Sequence, residues 1–328
     1  MRFHFSLSRP ALALAAACTL ACAAAPASAT AILFIGNSFT YGDPAGAAPT
    51  VQNYRPNTVT DLNGTGIGGV PALFKAFTEQ AGLHYDVSLE TSPGKGVDWH
   101  YINKLGTIAK PFDTVLLQSY STLDASKPGD PATLIKYSGL LAQAFHDQNP
   151  NVDVRLTSTW SRADQTYKPG GAWYGKPIEQ MALDVRAGYD KADQASNLIS
   201  DVIPVGEAWN RAFASGLADV NPFDNTVTGI DLWAPDAYHA SSYGYYLEAL
   251  TIFGNVTGLD PRSLGANEYV ARDLGIDPKI AASLQSLAAA QLQAEVPEPS
   301  MALTFASMGG LMLLARRRRQ ASRASSVK

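Results

Sequence analysis

Past residue 22 the chain contains no cysteine, since Cys18 and Cys22 both fall inside its first apolar segment. No disulfide can staple the remainder and no thiolate can act there, so stability has to come from a packed core. Charge is sparse too: charged residues make up 16%, the formal net charge is −4, and nothing between the termini forms a basic stripe. That excludes a phosphate-backbone partner, and with it nucleic acid. Metal spacings are missing as well. There is no His-Glu-x-x-His, and Asp61-Leu62-Asn63-Gly64 lacks the rest of a calcium loop, so the expectation is catalysis with no metal and no cofactor. Hydrophobic residues, in contrast, reach 46%, enough to bury a core and to exclude disorder.

Both ends read as sorting signals rather than as fold. Arg2 and Arg9 precede an apolar run from Pro10 to Pro26, and Ala27-Ser28-Ala29 has the small-x-small form of a cleavage site, giving a signal peptide over 1–29. Acylation of Cys22 is the competing reading, with Thr19 and Leu20 in the wrong order for it. At the other end, Val296-Pro297-Glu298-Pro299 leads into an apolar stretch from Met301 to Ala315 and the cluster Arg316 to Arg319. About fifteen helical residues reach roughly 22 Å, short of the ~30 Å hydrocarbon core. Segment 296–320 resembles the PEP-CTERM sorting signal of Gram-negative bacteria. The resemblance implies transient membrane insertion through the tail, processing by an exosortase-type enzyme, and a destination at the cell surface, outer membrane or extracellular matrix, often linked to exopolysaccharide. An ordinary tail anchor is the plainer alternative.

Between these ends, residues 30–295 read as one α/β domain. Ala31 to Ile35 is a short continuous apolar run stopped by Gly36, as expected of a strand buried on both faces. Further strands are expected at 85–89, 113–118, 152–156 and 201–205, with helices at 70–82, 131–147, 178–199, 207–214, 241–253 and 278–292. Residues 43–69, rich in Gly, Pro, Asn and Thr, predict a long loop. Strands alternating with amphipathic helices imply right-handed crossovers, a mainly parallel sheet and a three-layer α/β/α sandwich.

In such a sheet ligands sit beyond the carboxyl ends of the strands, which is where the first strand delivers Gly36-Asn37-Ser38-Phe39-Thr40. The spacing is not Gly-x-Ser-x-Gly, because position 40 is threonine, and a serine here can also simply cap a helix. Some two hundred residues on, Asp236-Ala237-Tyr238-His239 places a carboxylate and an imidazole three apart, able to meet at Nδ1 while Nε2 faces a nucleophile. A turn-capping Asp beside a surface His is the bland alternative.

These blocks together resemble the SGNH, or GDSL-like, hydrolases in a carbohydrate-esterase-like branch. Ile35 to Thr40 is similar to the first block, with Asn37 in place of the commoner aspartate, and Asp236 to His239 is similar to the last. The segment Pro93-Gly94-Lys95-Gly96-Val97-Asp98-Trp99-His100 is similar to the second block, whose glycine N–H binds an oxyanion, with Gly94 first choice and Gly96 second. The third block departs from the pattern, since its strand ends Leu116-Leu117-Gln118 and Gln118 stands where an asparagine is usual. The resemblance implies a flavodoxin-like fold and an exported serine esterase with Ser38 as nucleophile, His239 as base and Asp236 as its orienting acid. Ser38 N–H, Gly94 N–H and the Gln118 amide would surround the oxyanion, and Trp160 and Arg162 would contact substrate. The implied substrate is an acylated small molecule or a polysaccharide that loses acetyl groups; lipase or thioesterase activity, or a non-catalytic glycan-binding surface protein, are the alternatives. His84, His100 and His146 read as structural.

Overall fold

A computed structural model describes residues 29–44, 50–224 and 226–295; the expected signal peptide, except residue 29, and the expected sorting segment 296–320 lie outside the described residues. The strands are β1 (Thr30–Gly36), β2 (Thr60–Asp61), β3 (Tyr85–Thr91), β4 (Thr114–Leu117), β5 (Asp153–Ser158) and β6 (Asp201–Pro204). They pair in the order β2-β3-β1-β4-β5-β6, every pair parallel. Leaving aside β2, this is the doubly wound order in which the chain reverses direction at β1, so a crevice opens at its carboxyl end. The expected three-layer α/β/α sandwich is the observed fold.

The helices are α1 (Ser38–Tyr41), α2 (Gly69–Gln80), α3 (Val97–Ile108), α4 (Ala132–His146), α5 (Ala163–Tyr167), α6 (Ile178–Gln194), α7 (Val205–Ala214), α8 (Ser242–Thr257), α9 (Tyr269–Asp273) and α10 (Pro278–Glu295). Side chains alternate across a strand, so β1 sends Ile32 and Phe34 into one core with α2, α7, α8 and α10, and Leu33 and Ile35 into a second core with α3, α4 and α6. That double burial is why the strand reads as unbroken hydrophobics. Among the described residues no helix is long and apolar enough to cross a membrane.

The expected loop at 43–69 is shorter than its composition suggests. Pro56–Thr58 forms a 3₁₀ turn and Thr60–Asp61 pairs with β3 as an edge strand. Asp61 then organises the following turn, accepting from Asn63 N, Thr65 N and the Thr65 hydroxyl, at 2.9, 2.8 and 2.6 Å. Those donors hold its carboxyl below the usual range although burial, the largest single influence, pulls it up.

Candidate active site

β1 ends at Gly36, where a Cβ would fall 2.1 Å from Thr40 Oγ1 and 2.7 Å from Gln118 Oε1. Only glycine fits between them. Asn37 follows as the N-cap of α1, its Oδ1 accepting from Phe39 N at 3.1 Å. Its Nδ2 donates to Lys95 O at 2.9 Å and to Ser119 O at 3.0 Å, tying this turn to the segments after β3 and β4. An aspartate at 37 would turn a carboxylate oxygen towards two carbonyls with no proton between, which accounts for asparagine here. Ser38 is then the first residue of α1 and 4% exposed. No hydrogen bond to another described residue engages its Oγ or its N–H.

Asp236 and His239 lie on a loop closed by the antiparallel bridge Trp233–Ala240 and by Ala234 N donating to His239 O at 2.8 Å. Ala237 takes the left-handed conformation, φ 59, which lets the chain reverse between the two polar residues. Asp236 Oδ1 accepts from Tyr238 N and His239 N at 3.0 and 2.9 Å, and Oδ2 meets His239 Nδ1 at 2.6 Å. Burial alone would raise this carboxyl, but the imidazole and the two backbone donors outweigh it and hold it below its ordinary value. An ionised carboxylate only accepts, so Nδ1 carries the proton and Nε2 is turned outward.

His239 Nε2 faces Asp43 Oδ2 at 3.5 Å. Asp43 was not anticipated from the sequence, although the left-handed Gly42 two residues after Thr40 signals a chain reversal. Gly42 N and Asp43 N both donate to Ser38 O at 3.1 Å, so α1 folds Asp43 back over the serine. The Tyr245 hydroxyl sits between Ser38 O and Asp43 O and fixes the arrangement from α8. Ser38 and His239 thus share Asp43 and the ring of Phe39, which is 5.8 Å from the imidazole. No hydrogen bond joins Ser38 Oγ to His239 among the described residues; side chains of this kind often close only around substrate.

Two expectations need correcting. Gln118 does not aim its amide at a solvent-facing oxyanion: it is 1% exposed, and its Oε1 accepts from Asn37 N at 3.0 Å and from Thr40 Oγ1 at 3.1 Å. Its Nε2 donates to Ser119 O. The Asn37 N–H needs an acceptor, so the amide cannot be turned round, and Gln118 buckles the serine turn from beneath. Trp160 is fully buried, stacked on Trp209 at 4.7 Å and packed on Phe39 at 4.1 Å, so neither indole face is open to a sugar. Gly94 lies exposed in its turn at φ 64, its N–H without a hydrogen-bond partner among the described residues, and the turn is tied to Asn37 through Lys95 O. Gly96 is buried, a Cβ there falling 2.3 Å from the Tyr120 ring.

Arg162 stays at the mouth. Its guanidinium lies 3.6 Å from the Tyr238 ring centroid, and Tyr238 in turn packs on His239 at 4.1 Å. Asp164 takes the charge through two bonds of 3.0 and 2.7 Å, so Arg162 braces the wall beside the imidazole. Among the described residues no cluster of three or more His, Cys, Asp or Glu side chains could hold a metal ion.

No protein-family profile and no curated protein matches the chain. Solved structures do. A DUF4886 family protein from Bacteroides uniformis is similar at 16% identity and a TM-score of 0.53, over 81% of this chain and 95% of that one. A catalytic mutant of an acetylxylan esterase from Geobacillus stearothermophilus is similar at 15% identity and 0.41, over 76% and 96%. A carbohydrate esterase family 3 protein from Talaromyces cellulolyticus is similar at 12% and 0.43, over 70% and 97%. At such identities what is shared is the fold, and the first of the three carries that statement.

Proposed function

We propose that the chain is an exported serine esterase in which Ser38 attacks an ester carbonyl, His239 Nε2 takes its proton, and Asp236 keeps the imidazole oriented. The observation that supports this most is the Asp236–His239 pair, bonded at 2.6 Å with Nε2 turned towards the loop that starts at Ser38. The acyl group passes to Ser38 Oγ as the alcohol leaves with the proton from His239, and water then releases the acid by the reverse transfer. The Ser38 N–H, having no protein partner among the described residues, is the first oxyanion donor, and the Gly94 N–H, likewise without one among them, is the second. Gln118 contributes by holding Asn37 and Thr40, not by donating.

An acylated polysaccharide, losing acetyl groups, is the substrate class that the resemblance and the sorting tail favour, with export, exosortase processing and a surface or matrix destination as part of the same proposal. Lipase or thioesterase activity would use the same residues. One observation favours a second reading, a glycan-binding protein without turnover: the residue in the third-block position is committed beneath the turn. Hydrolysis of p-nitrophenyl acetate by the purified protein and by Ser38→Ala separates the two. The esterase reading expects loss of turnover in the variant by about 10³-fold or more; equal rates would remove it.

A further inference from the structure

Behind the 92–96 turn lies a buried ion-pairing group that the chemistry above leaves unused. Glu90 and His100 are both 0% exposed, and His100 Nδ1 donates to Glu90 Oε2. The second oxygen of Glu90 accepts from Asn63 Nδ2 at 3.3 Å and has Lys104 Nζ at 4.0 Å, while Lys104 also donates to Asn63 Oδ1 at 2.8 Å. His100 Nε2 is buried with no hydrogen-bond partner among the described residues. A buried carboxylate and a half-satisfied imidazole are expensive to keep, and two apolar side chains would fill the same space at less cost.

Their place in the chain explains the expense. Glu90 is the penultimate residue of β3, in register with Ile35 of β1, and the next residue, Thr91, pairs with Gly36. His100 is in the first turn of α3, its N–H donating to Gly96 O at 3.3 Å. The pair therefore closes the chain segment 91–99 at its base, and that segment carries Lys95 O, the acceptor for Asn37 Nδ2. Ser92 N also donates to Gly36 O at 3.0 Å. From Glu90 to Ser38 there is an unbroken path of directional contacts: Glu90, His100, the 92–96 turn, Asn37, Ser38.

We propose that Glu90 and His100 are positioning residues, a buried clasp that fixes the 92–96 turn against the serine turn and so sets where the oxyanion donors stand. The inference rests on the esterase reading for its catalytic consequence. Backbone donors misplaced by about 1 Å can cost on the order of 10²-fold in turnover. His100→Leu removes the donor and leaves Glu90 unpaired, whereas His100→Asn puts an amide N–H close to the Nδ1 position and is the conservative rescue.

Two measurements on the full chain decide it. The first is kcat per active site titrated with p-nitrophenyl acetate: His100→Leu should lose about 10–10²-fold with KM within about threefold, and His100→Asn should recover most of it. The second is hydrogen exchange: amides of 92–97 should exchange faster in His100→Leu and be restored in His100→Asn, with those of β1 and β4 unchanged. Unchanged protection of 92–97, or wild-type kcat per titrated site in a merely less stable His100→Leu, overturns the proposal. If His100→Leu does not fold, Glu90→Gln, which keeps shape and one acceptor, takes its place in both arms. Should wild type and Ser38→Ala hydrolyse equally, the esterase reading has failed while the exchange arm still settles the clasp.

Discussion

Asn37 carries three connections on one amide, to Phe39 N, Lys95 O and Ser119 O. Asn37→Asp keeps the first and turns the other two repulsive, so it should destabilise the protein by about 1–3 kcal/mol, read from the urea midpoint, despite the commoner aspartate in the resembled block. Glu248 is the other residue with a definite expectation. It is 1% exposed on α8, Oε2 has no partner among the described residues, and burial pushes its carboxyl well above the ordinary 4.5. The folded state therefore holds a proton that the unfolded state releases above pH 4.5, so this group's contribution is complete below that pH and is lost as pH rises. Glu248→Gln should gain on the wild type by up to about 1.4 kcal/mol per pH unit above that point, and a constant difference from pH 4 to 8 would refute it. The contact between Asp236 and His239 was legible in the sequence because the two residues lie three apart on one turn. Gln118, Trp160 and Asp43 could not be placed, because their roles depend on which side of a strand or turn faces the core.

At the level of elements, the five longer strands and the long helices follow from period and breakers, with boundaries shifted by a few residues. The two-residue β2 and the five-residue α9 left no periodic signal, being too short to show one. How α10 is held was equally hidden. Arg186 of α6 reaches Asp190 at 2.6 Å, Glu207 of α7 at 3.0 Å and Glu295 at the end of α10 at 2.9 Å. Burial raises the Glu207 carboxyl and Arg186 pulls it back down, so Arg186→Met leaves a mostly buried acid without its cation. The expected cost is about 2 kcal/mol, with hydrogen exchange in 278–295 rising more than in the sheet. Uniform loosening would count against a local clamp.

Across the whole molecule, two closed cores on either face of one parallel sheet account for stability without a cross-link. No cysteine occurs after residue 22, so a chain limited to residues 29–295 should give superimposable denaturation curves with and without reductant. The fold class was legible because alternating strands and helices leave few topologies open. The meeting of four loops at one edge was not, since it depends on contacts far apart in sequence. Behind that meeting point runs a column of rings: Phe39 on Trp160 at 4.1 Å, Trp160 on Trp209 at 4.7 Å, Trp209 on Trp233 at 5.7 Å. Phe39 directly follows Ser38 in the chain, so the three indoles form an intrinsic optical probe seated against the serine. A reagent that acylates or phosphonylates Ser38 should alter tryptophan emission without any added dye, which would let occupancy be followed by light in real time.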